Sequence, residues 1–288
     1  MKKLVAAACA LAAGLALAEV ESANVVGYQE FTFPAGQQMT MFGIMFDGVG
    51  GTEMTVQDIF ADRSVFTGGA SRAYADQILY WTGTTYHVLY LNQSANVSRN
   101  GFWCNGGTPP AGGDWGSNNA KCTHVVQPGD AFWVKRYDTT GAITVKMVGQ
   151  VVVGQDGSKS VSISEGMTLV GMPFTAPFIP NPDKVDASKS KIDWEALGCV
   201  GGSSRAYADQ LTFWNGSNYH VLYLNKSANA TRNGYWCNGG TPPSGDGLSW
   251  GGNNAPSTVV YVPGGAFWYK RLSGSSAFSL SFTQPYEL

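Results

Sequence analysis

Ser71 to Gly112 reads SRAYADQILYWTGTTYHVLYLNQSANVSRNGFWCNGGTPPAG, and Ser204 to Gly245 reads SRAYADQLTFWNGSNYHVLYLNKSANATRNGYWCNGGTPPSG. The second stretch repeats the first at a constant offset without a gap, with about three-quarters of positions identical. Self-similarity on this scale marks a duplicated structural unit and outranks any local reading. Beyond the block the second copy gains two residues. Trp115 then matches Trp250, and the Pro-Gly-x-Ala-Phe-Trp-x-Lys-Arg run ending at Arg136 matches the one ending at Arg271. Upstream, MTMFGIMF from Met39 aligns with MTLVGMPF from Met167.

Two units follow, residues 19–149 and 150–288, with a Gly, Asp and Ser hinge near Gly154 to Lys159. Inside each unit, apolar and polar residues alternate over short runs bounded by Gly, Pro and Asn, which is the pattern of half-buried strands. In the first unit the runs are Val25 to Phe33, Met39 to Phe46, Asp76 to Thr82, Thr85 to Asn92, Gly101 to Cys104, Cys122 to Gln127, Asp130 to Tyr137 and Ala142 to Val153. Trp81 to Tyr86 and Trp214 to Tyr219 read as hairpin tips, the second carrying Asn-Gly. Only Val56 to Ala61 and Lys191 to Leu197 read as helical. The expected fold is all-β: two tandem homologous antiparallel modules, each a sandwich or barrel-like unit.

Two lysines, an apolar stretch from Leu4 to Leu17 and the small-residue site at Ala16 to Ala18 make residues 1–18 a secretory signal peptide. The chain is therefore expected to be secreted or held at the cell surface. No later apolar run approaches the roughly 20 residues that a spanning helix needs. Without Lys2 and Lys3 the formal charge moves from −2 to −4, which argues against nucleic-acid and anionic-lipid partners.

Export directs attention to the cysteines. Cys104 and Cys237 hold the same place in the repeat, whereas Cys122 and Cys199 do not correspond. The simplest pairing is one bridge per unit, Cys104 to Cys122 and Cys199 to Cys237. Other constellations are thin. His87 and His220 each precede a cysteine by seventeen residues, the basis of a third-ranked reading as a hydrolase with a Cys/His pair. The loops of residues 112–119 and 245–254 offer hard oxygen ligands on which calcium could sit, with no EF-hand spacing. No catalytic residue is assigned, and the chain reads as a non-enzyme.

Eight of the nine tryptophans recur between the units: Trp81, Trp103, Trp115 and Trp133 match Trp214, Trp236, Trp250 and Trp268. Trp81 and Trp133 suit the core. Trp103 and Trp115 bracket a Gly, Pro and Asn-rich loop and, with Asn105, Asp114, Asn118 and Asn119, form a candidate sugar-binding surface. The second copy would use Trp236, Asn238, Asp246, Trp250, Asn253 and Asn254. The leading functional reading is an exported binding protein for a glycan or other surface polymer, with two equivalent sites giving avidity. The alternative is a structural protein that self-associates through β-edges such as Ala142 to Val153 into a surface layer or fibre.

NVVGYQEFTFPAG, from Asn24 to Gly36, and the later Pro128 to Arg136 strand resemble a group of uncharacterised exported bacterial proteins. The resemblance implies export and a β-rich fold, and it carries over no functional residue.

Overall fold

The computed structural model describes residues 25–36, 38–112, 114–137, 141–153, 157–243 and 247–286. The expected signal peptide lies outside them, as does the start of the expected hinge. Among the described residues the chain is all-β, and its single α-helix is the four-residue Pro182–Val185. No helix there is long and apolar enough to cross a membrane.

In the N-terminal half, β2 (Met39–Gly43), β7 (Ala131–Lys135), β4 (Gln77–Trp81), β5 (Tyr86–Leu91) and β6 (Trp103–Asn105) form an antiparallel sheet in the order 2-7-4-5-6. In the C-terminal half, β10 (Gly166–Gly171), β14 (Ala266–Arg271), β11 (Gln210–Trp214), β12 (Tyr219–Leu224) and β13 (Trp236–Asn238) form a sheet in the order 10-14-11-12-13. Strand for strand these are the same arrangement, and the registers correspond: Trp81 faces Tyr86 as Trp214 faces Tyr219.

A smaller sheet covers each. β1 (Val26–Phe33), β8 (Ile143–Val151) and β3 (Phe46–Asp47) lie over the N-terminal sheet, and β9 (Ser158–Ile163) with β15 (Phe278–Thr283) over the C-terminal one. Phe33, Val145 and Met147 of the first cover share one core with Phe42, Ile78, Leu89 and Phe132. Ile163 and Leu280 do the same with Val170, Leu211 and Phe267. Each half is therefore a two-layer sandwich, and no sheet among the described residues closes into a barrel.

Several local expectations change. Cys122 to Gln127 is no strand: it contributes one isolated bridge, Val125 to Thr55. Val56 to Ala61 and Lys191 to Leu197 form turns rather than helices, because each supplies only a short apolar run to a core that already fixes its path. β8 runs through the boundary expected at Gly149, so Gln150 and Val151 stay with the first half. β8 lies between β1 and β3, so the edge proposed for Ala142 to Val153 is covered by β1 along its length on one side and by β3 at Gln150 and Val151 alone on the other.

The expected disulfides do not form: Cys104, Cys122, Cys199 and Cys237 are free, buried thiols. Sheet alternation explains why. Cys104 packs with Ala75 and Tyr90, whereas Cys122 belongs to the core beneath Trp103. Cys237 likewise joins Ala208 and Tyr223, whereas Cys199 packs with Trp236. Burial pushes Cys104 and Cys122 up to about 11, and Cys199 and Cys237 up to about 12. The folded protein is accordingly expected to resist a thiol reagent at pH 8, with all four cysteines reacting once it is denatured. Peptide mapping that found either expected bridge would contradict this.

Candidate functional site

The loops expected to bind sugar are scaffolding instead. Trp103 and Trp236 are 0% exposed and Trp115 and Trp250 only 2%, so none presents a face to solvent. Buried amides hold the first pair in place. Gln57 donates to the carbonyls of Trp103 and Cys122 and accepts from the Trp103 N–H. Asn181 makes the same three contacts with Trp236 and Ser257. Asn105 and Asn238, expected as ligand contacts, are buried and tie their own loops through Gly116 O and Gly251 O at 2.7 Å. Asn119 and Asn254 adopt left-handed backbone, with φ of 62° and 59°, and accept from the hydroxyls of Tyr90 and Tyr223. Of the remainder, Asn118, Asn253 and Asp114 are exposed, and Asp246 lies outside the described residues.

The Cys/His pair also separates. His87 follows the alternation of Leu89 and Leu91 into the core, while Cys104 pairs with Tyr90 on the opposite face. Among the described residues no group of three or more His, Cys, Asp or Glu is placed to hold a metal ion. Asp114 stands exposed on its loop, its backbone carbonyl accepting from the Thr123 N–H.

His87 instead packs edge-on to Trp115, which stacks on His124 with centroids 3.7 Å apart. Burial lowers the pKa of both histidines, and the proximity of His124 lowers His87 further. Unfolded histidine titrates near 6.5, so below about that pH the unfolded chain takes up protons that the folded chain refuses. Stability should therefore fall as pH drops through about 6.5, and His87→Gln should flatten the fall. Thermal unfolding followed from pH 8 to pH 5 checks this; a melting temperature that held or rose on acidification would refute it.

The most distinctive surface arises where the halves meet. Gly43 N donates to Gly264 O at 2.8 Å, and Gly171 N donates to Gly129 O at 2.9 Å, each half reaching the Pro-Gly turn of the other. Gly43 and Gly171 lie back to back, and a β-carbon on Gly43 would stand 2.7 Å from the α-carbon of Gly171. That close approach brings the two hairpin tips together. Trp81 Nε1 donates across the junction to Met167 O at 2.9 Å, and Trp214 Nε1 donates to Met39 O at 2.8 Å. Trp81 packs at 86° against Trp268, with centroids 5.3 Å apart. Trp133 packs at 70° against Trp214 at 5.8 Å. Every one of these contacts has its counterpart under exchange of the halves, which is the signature of approximate two-fold symmetry.

An open groove of about 400 Å³ lies on this junction, lined by Trp81, Tyr86, Met167, Thr212, Tyr219 and Trp268. No charged side chain lines it. Its free polar side-chain groups are the Thr212 hydroxyl and the two phenols, since the indole N–H of Trp81 is held by Met167 O and that of Trp268 by the Tyr219 hydroxyl. Tyr86 and Tyr219 are 37% and 51% exposed. Burial, then the neighbouring phenol of Tyr219, pushes Tyr86 up to about 12, so its hydroxyl stays protonated and able to donate. Sequence reasoning placed Trp81 in the core and overlooked Tyr86 and Tyr219. The available signal was the hairpin tip, where an aromatic stands at each end of both turns. Neither a family model, nor a curated protein, nor a solved structure matches the chain.

Proposed function

We propose that this is an exported, non-catalytic binding protein that takes a neutral carbohydrate chain across the aromatic groove between its halves. The lining of the groove carries the reading. Flat indole and phenol faces suit the apolar faces of pyranose rings, the Thr212 and phenol hydroxyls suit sugar hydroxyls, and the absence of charge favours an uncharged chain. Duplication then builds one composite site rather than two separate ones. Tyr86→Ala with Tyr219→Ala should abolish retardation in gels containing soluble xylan, glucomannan or mixed-linkage glucan, with melting temperature followed in parallel because both rings pack on the junction tryptophans. If the wild-type protein migrates freely through all three and ignores cellulose and chitin, the carbohydrate reading is wrong.

Self-assembly has one observation in its favour. β1 is an edge strand whose exposed residues include Val26 and Tyr28, with Glu30 as its one charge, a template for pairing. Sedimentation of the protein over a wide concentration range distinguishes the two readings.

A further inference from the structure

We propose that the groove accepts ligand in only one of its two symmetry-related halves, and that Thr212 is the specificity-determining residue that opens it. The inference rests on the carbohydrate reading of the groove and goes beyond it to stoichiometry and orientation.

Exchange of the halves maps Trp81 onto Trp214, Tyr86 onto Tyr219, Trp268 onto Trp133 and Met167 onto Met39. All four pairs keep the residue type. The fifth does not: Thr212 in the open groove corresponds to Leu79. Register fixes what each stands beside. Thr212 faces Trp268 on the neighbouring strand, and Leu79 faces Trp133. Leu79 packs into the junction cluster with Trp133, Met39 and Trp214, the counterparts of the groove lining. Leucine reaches one bond further from the backbone than threonine, and the indole beside it, Trp133, is 2% exposed against 5% for Trp268 beside Thr212. Leucine also lacks a hydroxyl, which Thr212 adds to the groove lining. The groove half lined by Thr212 thus carries a hydroxyl where the other half places the longer, apolar Leu79.

A site with this asymmetry holds one ligand per chain in one direction along the groove, whereas a symmetric site would accept a chain in either direction. The two phenols are shared by both halves, so substituting them cannot separate the halves. Position 212 and its counterpart can.

The test is titration calorimetry of the full protein with cellohexaose, xylohexaose, mannohexaose and chitohexaose. Wild type is expected to bind one hexaose per chain. Thr212→Leu should weaken binding at least about tenfold, and Thr212→Ser should restore it to within about threefold. Leu79→Thr should leave the stoichiometry at one and raise the association constant about twofold, since two equivalent directions are then open. Melting temperatures within a few degrees of wild type confirm that each variant is folded. A wild-type stoichiometry of two, or a Thr212→Leu variant that binds as wild type does, overturns the asymmetry and leaves the carbohydrate reading standing. Failure of wild type to bind any of the four hexaoses overturns both.

Discussion

Alanine at Gly171 is expected to destabilise the protein by about 3 kcal/mol, the upper end of what overpacking ordinarily costs. The added β-carbon would fall on the Asp130 carbonyl oxygen and lie 2.9 Å from the α-carbon of Gly43. Both obstacles are backbone, so no side-chain rotation relieves them. The halves would have to separate, lengthening the hydrogen bonds from Gly171 N to Gly129 O and from Gly43 N to Gly264 O. For a chain of this size the loss corresponds to roughly 6 to 12 °C in melting temperature, measurable by calorimetry. Because the groove is built on that junction, fluorescence of its tryptophans should also become more accessible to acrylamide. An unchanged melting temperature would mean that the junction is looser than its geometry implies.

Arg271→Met is expected to cost about 3 to 5 kcal/mol, the usual penalty for stranding one member of a buried ion pair. Asp209 is 0% exposed and takes hydrogen bonds from Val200 N, Leu272 N, the Tyr269 hydroxyl and Arg271. Removing Arg271 leaves that carboxylate without its countercharge. The guanidinium also donates to Gly198 O and Ser276 O and lies over the ring of Phe278 at 4.6 Å. Lysine, a point charge without the fork, should therefore rescue only part of the loss. The matched pair, Arg136 with Asp76 at 3.0 Å, makes Arg136→Met a second instance in the other half. Denaturant melts of Arg271→Met, Arg271→Lys and Arg136→Met give the three costs. A loss below about 1 kcal/mol for either methionine variant would place that pair among ion pairs of marginal worth.

The repeat and the strand periodicity made the β content and the pairing of the two sheets readable from residues alone. MTMFGIMF and MTLVGMPF become β2 and β10, and the Ala-Phe-Trp runs become β7 and β14. Trp133 was rightly placed in the core. The cysteine bridges misled because spacing along the chain does not say which face of a sheet a residue occupies. Cys104 forms a β-bridge with Lys121, the residue before Cys122, yet the two cysteines pack into different clusters. The tryptophan loops misled for a related reason. A loop rich in Gly, Pro and Asn normally lies on the surface, yet here Gln57 and Asn181, far away in sequence, bond to its backbone and draw Trp103 and Trp236 inward.

By itself the sequence determined that a strand-rich unit occurs twice and that matched residues take matched places, because strand formation and register follow from local alternation and turn chemistry. Only the tertiary structure decided which aromatics face solvent. Gly43 and Gly171 let two backbones touch, and that contact turns two hairpin tips into one groove. Contacts of that kind join residues more than a hundred positions apart, and local periodicity carries no information about them.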